Sequence, residues 1–162
     1  MEIATTYYTY LDTPAGTLLC ISNGKVITGI HWKVFKRAPL VAPHWVENKE
    51  LFGTALKQLD EYFAGRRRML TFSYKYTGTD FQKSVWQEIE KIPYGTFSSY
   101  QAIANTIGNP RAVRAVGTAV GSNPLSIIVP CHRVLTSSMK LGGYAGGLES
   151  KSYLLRTERI VI

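Results

Sequence analysis

The sequence predicts two domains, an α/β domain followed by a mainly helical one. In the first part of the chain, short runs of β-branched and aromatic residues alternate with Pro and Gly turns, a pattern typical of a small antiparallel sheet. Apolar residues then recur at helical spacing over 48–63, and this period dominates from Asp80 onward. The polar segment 77–79 separates the two patterns. We therefore expect one domain over residues 1–78 and a second over residues 79–162.

The first domain is predicted to contain three strands and one helix. The strands are expected over 5–11, 17–21 and 26–31, with turns at 12–16 and 22–24. A loop with Pro39 and Pro43 follows, and the amphipathic segment 48–63 is predicted to cover the sheet. We interpret the basic run at 66–68 as a solvated helix end that complements the helix dipole, with a DNA contact as the alternative.

The charge of the chain favours a polyanionic partner. The 162 residues include 19 Lys and Arg against 11 Asp and Glu, a net charge of +8. No acid occurs between Glu90 and Glu149. Basic residues in that interval include Lys91, Arg111, Arg114, Arg133 and Lys140. A surface that approaches phosphates must exclude carboxylates, so this distribution favours nucleic acid, and a charge that only keeps the protein soluble is the alternative.

Membrane and metal-binding classes are not favoured. No apolar run approaches the roughly 20 residues needed to span a bilayer, and the first five residues lack the features of a secretory signal. We therefore expect a cytoplasmic protein without membrane association. Cys20 and Cys131 are the only cysteines, and the three histidines are not at ligand spacing to them, so we expect no metal site.

The second domain is predicted to contain a helix-turn-helix. An apolar stripe over 81–89 predicts a first helix. The segment 98–101 is a capping-box start for a helix that runs to Ile107, and the Asn-Pro pair at 109–110 starts another that ends near Val120. Two short helices joined by a tight turn are typical of a helix-turn-helix, although many helical domains contain such a corner.

The second of these paired helices has two unlike faces. Val113, Val116 and Val120 share one side, and Arg111 and Arg114 lie on the other, flanked by small alanines. Such a helix is either an ordinary amphipathic helix with solvated arginines or one whose small residues let the backbone approach nucleic acid.

An apolar run over 125–129 is predicted to be a buried strand that leads to Cys131. A cysteine in such a place is usually an inert small hydrophobe, but His132 follows directly, and a nucleophilic thiol needs a nearby base or positive field. Neighbouring side chains on a strand point to opposite faces, so Cys131 and His132 can cooperate only if the chain bends there or a water links them.

Four short motifs of the second domain carry a family resemblance. They are Arg114-Ala115-Val116-Gly117, Asn123-Pro124, Pro130-Cys131-His132-Arg133 and Gly143-Tyr144-Ala145-Gly146-Gly147. Together they strongly resemble the O6-alkylguanine-DNA alkyltransferases (methylated-DNA–protein-cysteine methyltransferases) over about 81–158, and 13–16 and 58–63 extend the resemblance loosely into the first domain. The resemblance implies a ribonuclease-H-like α/β first domain and a mainly α, winged-helix-like helix-turn-helix second domain.

The resemblance also implies a reaction and a set of catalytic residues. Cys131 would accept the alkyl group of O6-alkylguanine once per protein molecule, without a cofactor, and O4-alkylthymine is a second substrate to consider. His132 would take the thiol proton through a water, and Glu158 would orient its imidazole. Tyr100 would protonate the guanine ring, with an aromatic helix cap as the alternative. Asn123 would tie the recognition helix to the active-site strand, with a plain turn residue as the alternative.

The implied partner is double-stranded DNA containing O6-alkylguanine, bound by a monomer. Arg114 resembles the residue that replaces the flipped nucleotide in the stack. The groove would be approached by Ala112, Val113, Ala115 and Gly117, and Tyr100 would also contact the DNA. The base pocket would be walled by Tyr144, Ala145, Gly146 and Val134. Two positions depart from the family pattern: Ala145 stands where many members have a serine, and Val113 is bulkier than usual.

Three other functions compete with repair. A non-catalytic alkylguanine damage sensor is the main alternative, but those proteins lack the cysteine. A transcriptional responder would need an additional cysteine-rich zinc domain. A thiol hydrolase would need an oxyanion site, which nothing in the sequence indicates.

Overall fold

The computed structural model describes residues 4–162, which fold as a sheet-and-helix unit followed by a mainly helical unit. This confirms the predicted fold class. Residues 1–3, which belong to the expected first domain and to the segment compared with secretory signals, lie outside the described residues.

The first unit is built on a four-stranded sheet. Its strands are β1 (Tyr7–Thr13), β2 (Gly16–Ser22), β3 (Ile27–Trp32) and β4 (Val46–Glu47), in the order β3-β2-β1-β4. The first three are antiparallel, as predicted, within two residues of the expected bounds at either end. β4 was not predicted because it has only two exposed residues in a Pro-containing loop. It pairs in parallel with β1, where the Val46 N–H donates to the Thr6 carbonyl at 2.9 Å.

The predicted helix over 48–63 is in two parts. Asn48 accepts a hydrogen bond from the Leu51 N–H and begins a short 3₁₀ turn, and the α-helix α1 spans only Gly53–Phe63. The Gly53 N–H donates to the Glu50 carbonyl three residues back, which is the tighter 3₁₀ pairing. The buried face of α1, including Leu59 and Tyr62, packs in the main hydrophobic core.

The second unit contains four helices and a two-stranded parallel pair. The helices are α2 (Asp80–Glu90), α3 (Tyr100–Thr106), α4 (Val113–Gly121) and α5 (Leu148–Thr157), and the strands are β5 (Ser98–Ser99) and β6 (Val134–Leu135). The capping box lies at Thr79 and Gln82, at the start of α2. α3 instead has a single side-chain cap, in which Ser99 accepts from the Ala102 N–H. None of the helices within residues 4–162 is long and apolar enough to cross a membrane.

The start predicted for α4 was wrong by about three residues. Residues 109–112 form a turn in which the Ala112 N–H donates to the Asn109 carbonyl at 3.0 Å. The helical pattern begins only where the Val116 N–H donates to the Ala112 carbonyl at 2.8 Å. The predicted faces are confirmed in outline, since Val116 and Val120 are buried and Arg114 is exposed.

The segment 125–129 is not the predicted strand. It forms a tight turn in which the Val129 N–H donates to the Leu125 carbonyl at 2.9 Å, and buried Ile127 has φ of 75°, outside the strand region. One edge of the turn is bonded to the sheet, because the Ser126 N–H donates to the Ile30 carbonyl at 3.0 Å. The first unit therefore supports the chain immediately before Cys131.

Candidate active site

Cys131 opens a 3₁₀ turn over Cys131–Arg133, so the chain bends at the cysteine instead of continuing as a strand. Cys131 is 4% exposed, and its thiol is within hydrogen-bonding distance of the Asn123 side chain, whose Nδ2 lies 3.1 Å from the Cys131 Sγ. The same Nδ2 donates to the Val129 carbonyl at 2.8 Å, and Asn123 Oδ1 accepts from the Leu125 N–H at 2.9 Å. Asn123 thus joins the end of α4 to both arms of the turn that carries the cysteine.

A buried polar network lies behind the cysteine, centred on Glu158. His132 Nε2 and Glu158 Oε2 are 2.5 Å apart, and the Tyr62 hydroxyl donates to the same oxygen at 2.6 Å. Arg133 Nε donates to Glu158 Oε1 at 2.7 Å. Arg133 belongs to the basic residues of the acid-free interval, but it is buried and paired with Glu158, so its charge does not contribute to a DNA-facing surface.

The network fixes the protonation states of its members. Burial alone would raise the pKa of Glu158, but hydrogen bonds and charge from His132 and Arg133 outweigh burial and lower that pKa to about 2. Burial lowers the pKa of His132, against the opposing effect of Glu158. The imidazole is therefore neutral at pH 7, and with Nε2 held by the carboxylate its second nitrogen is the one able to accept a proton. That Nδ1 has no hydrogen-bond partner among residues 4–162.

The surroundings of the thiol act on it in opposite directions. Burial raises the pKa of Cys131 most strongly, whereas hydrogen bonding from Asn123, the positive charge of Lys151 and hydrogen bonding from Tyr144 lower it. No direct hydrogen bond joins Cys131 to His132 in the described part of the chain. The residues that favour the thiolate thus come from three separate segments: Asn123 after α4, Tyr144 in the loop before α5, and Lys151 on α5.

Lys151 was not singled out from the sequence, where it is one more basic residue on a helix. It is fully buried on α5, and its Nζ donates to three backbone carbonyls. These belong to Val134 at 2.8 Å, to Gly143 at 3.3 Å and to Leu141. Burial lowers the pKa of Lys151 to about 8, opposed by the charge of Cys131. Lys151 therefore anchors the loop that leads to Tyr144, and its positive charge favours the thiolate form of Cys131.

A cavity of about 390 Å³ opens onto Cys131. The sequence-predicted residues along its wall are Tyr100, Gly117, Asn123, Tyr144 and Ala145. Phe35 and Arg37, from the loop after β3, also line it and carried no signal in the sequence. Burial, followed by the negative charge of Cys131, raises the pKa of Tyr100, which keeps its phenol protonated near the thiol.

Two residues expected to wall the pocket lie outside the lining of this cavity. Val134 is fully buried in β6, where it pairs with Ser98 and its carbonyl accepts from Lys151. Gly146 lies against the indole of Trp32, since a Cβ at that position would be 2.7 Å from the ring. The wall of the cavity on this side is therefore formed by Tyr144 and Ala145 and not by these two residues.

The residues expected to meet DNA lie along the start and outer face of α4. Arg114 and Ala115 are exposed, and Ala112 and Val113 are partly exposed at the helix start. Gly117 lies where this helix borders the cavity, and a Cβ there would meet no atom within 4 Å. An exposed helix that borders the cavity over Cys131 can present a duplex to the thiol. Within residues 4–162, no cluster of three or more His, Cys, Asp or Glu side chains is placed to hold a metal ion.

Comparisons with known proteins agree over both units. A model of the DNA binding domain of 6-O-methylguanine DNA methyltransferase matches residues 80–160, and a model of its ribonuclease-like domain matches residues 6–75. Methylated-DNA–protein-cysteine methyltransferase from Methanosarcina barkeri is 43% identical over 152 residues, covering 94% of this chain and 96% of the relative. The protein of that name from Haemophilus influenzae is 45% identical over 157 residues, covering 95% and 87%.

Solved structures agree as well. The crystal structure of Mycobacterium tuberculosis OGT in complex with DNA has a TM-score of 0.88 at 42% identity, covering 94% of this chain and 92% of that one. An O6-methylguanine DNA methyltransferase from Methanococcus jannaschii has a TM-score of 0.66 at 26% identity, with 95% of each chain covered.

Proposed function

The chain belongs to the 6-O-methylguanine DNA methyltransferase family, and from that premise we propose how its site carries out the reaction. The protein binds DNA and repairs it by moving an alkyl group onto one of its own cysteines. The proposal assigns that cysteine to Cys131 and the substrate to O6-alkylguanine flipped out of duplex DNA. The supporting observation is that Cys131 alone combines a cavity, a polar partner in Asn123 and the adjacent His132–Glu158 pair.

The reaction begins with removal of the thiol proton. His132 Nδ1 receives it through a water, and Glu158 stabilises the imidazolium that forms, as in other pairs of a nucleophile and a base with a third, orienting group. Asn123 and Lys151 hold the sulfur negative in the meantime. Glu158 keeps its charge throughout because its pKa is about 2.

The thiolate then attacks the alkyl carbon, and the bond from that carbon to O6 breaks. The electron pair passes to O6 and the guanine ring, and the Tyr100 phenol donates a proton to the ring as charge develops there. The sulfur becomes a neutral thioether. His132 then releases the proton taken from Cys131 to solvent and the Tyr100 phenolate takes one up, so both groups return to their starting states and guanine is restored without a cofactor. Because a thioether is a poor leaving group, each molecule reacts once.

The proposal places duplex DNA on α4. Arg114 fills the gap in the stack left by the flipped nucleotide, which offsets part of the few kcal/mol that flipping costs. The surface that approaches the groove is formed by Ala112, Val113, Ala115 and Gly117.

We also propose that the protein acts as a cytoplasmic monomer, that its domains divide between residues 78 and 79, and that O4-alkylthymine is a further substrate to test.

Mass spectrometry after incubation with a duplex containing O6-methylguanine tests the proposal. We expect a mass increase of one methyl group on the peptide that contains Cys131, no transfer in Cys131→Ser, and normal transfer in the control Cys20→Ser. Cys20 is a suitable control because it is also buried, yet burial raises its pKa to about 12 with nothing opposing the rise. Binding of the methylated duplex without any mass increase would support the alternative, a non-catalytic damage sensor. Restored guanine in excess of the protein would overturn the single-use mechanism.

A further inference from the structure

Trp32, on β3 of the first unit, reaches the site from outside the helical unit. Its Nε1 donates to the Tyr144 hydroxyl at 3.0 Å, and the two rings pack edge to face with centroids 6.0 Å apart. The indole is 1% exposed. The indole also lies so close to Gly146 that any side chain at that position would collide with it. The orientation of Trp32 is therefore fixed by packing as well as by its hydrogen bond.

The hydrogen bond from Trp32 decides where the Tyr144 proton points. An indole N–H can only donate, so the Tyr144 oxygen must act as the acceptor. The hydroxyl has one hydrogen, which is then directed away from the indole. Tyr144 and Cys131 line the same cavity, and hydrogen bonding from Tyr144 lowers the pKa of the thiol. The indole thus holds in place a phenol that faces the same cavity as the sulfur.

We infer that Trp32 is a positioning residue for alkyl transfer, because it turns the Tyr144 hydroxyl so that its proton faces the Cys131 sulfur and stabilises the thiolate. The first unit then contributes to the reactivity of a cysteine that lies in the second unit. The inference rests on the proposed function for the identity of the reaction, but the effect on the thiol is independent of the substrate.

The test is the pH profile of Cys131 alkylation by iodoacetamide, followed on the Cys131 peptide by mass spectrometry. Trp32→Phe keeps an aromatic ring and removes the N–H. We expect its apparent thiol pKa to rise by about one unit, so that the rate below the midpoint falls about tenfold. Tyr144→Phe removes the hydroxyl itself and should give an upward shift of at least that size. In the Tyr144→Phe background, Trp32→Phe should produce no further shift.

Trp86→Phe is the matched control, because Trp86 is also buried and its Nε1 donates at 2.8 Å to a backbone carbonyl, that of Ala119. It should lose comparable thermal stability and leave the pH profile unchanged. An unchanged profile in Trp32→Phe, an equal shift in Trp86→Phe, or a further shift in the double variant would each overturn the inference. If Trp32→Phe does not fold, an unchanged profile in Tyr144→Phe overturns it.

The same variants are assayed with a duplex containing O6-methylguanine. If the wild-type protein takes no methyl group from this duplex, the proposed function fails, while the iodoacetamide profile still decides the role of Trp32. If the wild-type protein reacts and the profiles do not shift, only the role of Trp32 fails.

Discussion

The buried network behind Cys131 and the outer face of α4 satisfy their polar groups in opposite ways. Glu158 is buried and bonded to Tyr62, His132 and Arg133. Arg114 on α4 is exposed, and its guanidinium forms no ion pair or hydrogen bond within residues 4–162. The groups proposed to perform the chemistry are thus held in place by hydrogen bonds before a substrate binds, whereas the side chain proposed to meet DNA is solvated.

This difference predicts two kinds of variant. Substitutions in the buried network should reduce stability and slow the reaction with every substrate, because they disturb groups that bear on the thiol. Substitutions on the α4 face should leave stability unchanged and affect only substrates that must be extracted from a duplex. The following experiments are arranged from the largest expected effect to the smallest.

Glu158→Gln should have the largest effect. It removes the carboxylate that pairs with buried Arg133 and orients His132, and breaking a buried ion pair typically costs about 3–5 kcal/mol. Urea denaturation should show a loss in that range, and transfer from free O6-benzylguanine and from duplex should fall by similar factors. Glu149→Gln, an exposed change at the start of α5, is the control. A loss of transfer confined to the duplex substrate would contradict the proposed difference between the buried network and the α4 face.

The contribution of the Glu158 carboxylate to stability should also depend on pH. The pKa of Glu158 is about 2 in the folded protein, against roughly 4.3 in an unfolded chain. A carboxyl group whose pKa is lower in the folded state stabilises the fold fully when the pH is above its unfolded-state pKa. This stabilisation is lost as the pH falls toward the folded-state pKa. The difference in unfolding free energy between the wild type and Glu158→Gln should therefore shrink by about 3 kcal/mol between pH 5 and pH 2. Urea titrations across that range measure it, and a constant difference would contradict the lowered pKa.

The buried network could be foreseen only in part. The strands of the first unit follow a local alternation of residues, so β1 to β3 appear in the sequence pattern. The family motifs point to Cys131, His132 and Glu158. Tyr62 falls in the loosely matching segment 58–63, but nothing local marks its role or that of Lys151, because each looks like an ordinary residue of an amphipathic helix. Their roles arise from contacts between distant parts of the chain.

Two of the wrong structural expectations have different causes. Residues 125–129 have the composition of a strand, but hydrogen bonds to β3 hold them in a turn, and tertiary contacts outweigh local preference. The Asn-Pro pair at 109–110 satisfies the rules for a helix start, yet the Ala112 N–H bonds to Asn109 and delays the helix.

Methylation of Cys131 should have a smaller effect on stability. Cys131 is 4% exposed and its sulfur lies 3.1 Å from the Asn123 amide, and an added methyl group in a packed site costs about 1–3 kcal/mol. The thiolate interactions are lost as well. The melting temperature should fall by roughly 2–4 °C for each kcal/mol after reaction with a methylated duplex and removal of the DNA. Cys131→Ser treated in the same way should not change, and an equal or higher melting temperature for the methylated protein would contradict this expectation.

Arg114→Ala should give the smallest change in stability, and it should slow the reaction with one class of substrate only. The side chain is solvated in the free protein, so its removal should change the unfolding free energy by no more than about 0.5 kcal/mol. A free base needs no extraction, so the reaction with O6-benzylguanine should keep its rate. The reaction with a duplex lesion should slow about tenfold, since the gap in the stack is no longer filled.

Arg111→Ala separates loss of a filling side chain from loss of charge. Arg111 is exposed in the turn before α4 and carries the same charge. Its removal should therefore weaken binding to damaged and undamaged duplex alike, and the slope of log binding constant against log salt concentration should become shallower by about one unit. Arg114→Ala should instead slow the reaction even at protein concentrations that saturate the duplex, because the step it affects follows binding. If saturation restores the wild-type rate, Arg114 contributes only charge. If both substrates slow equally, Arg114 supports the buried network, and the division between the two regions does not hold.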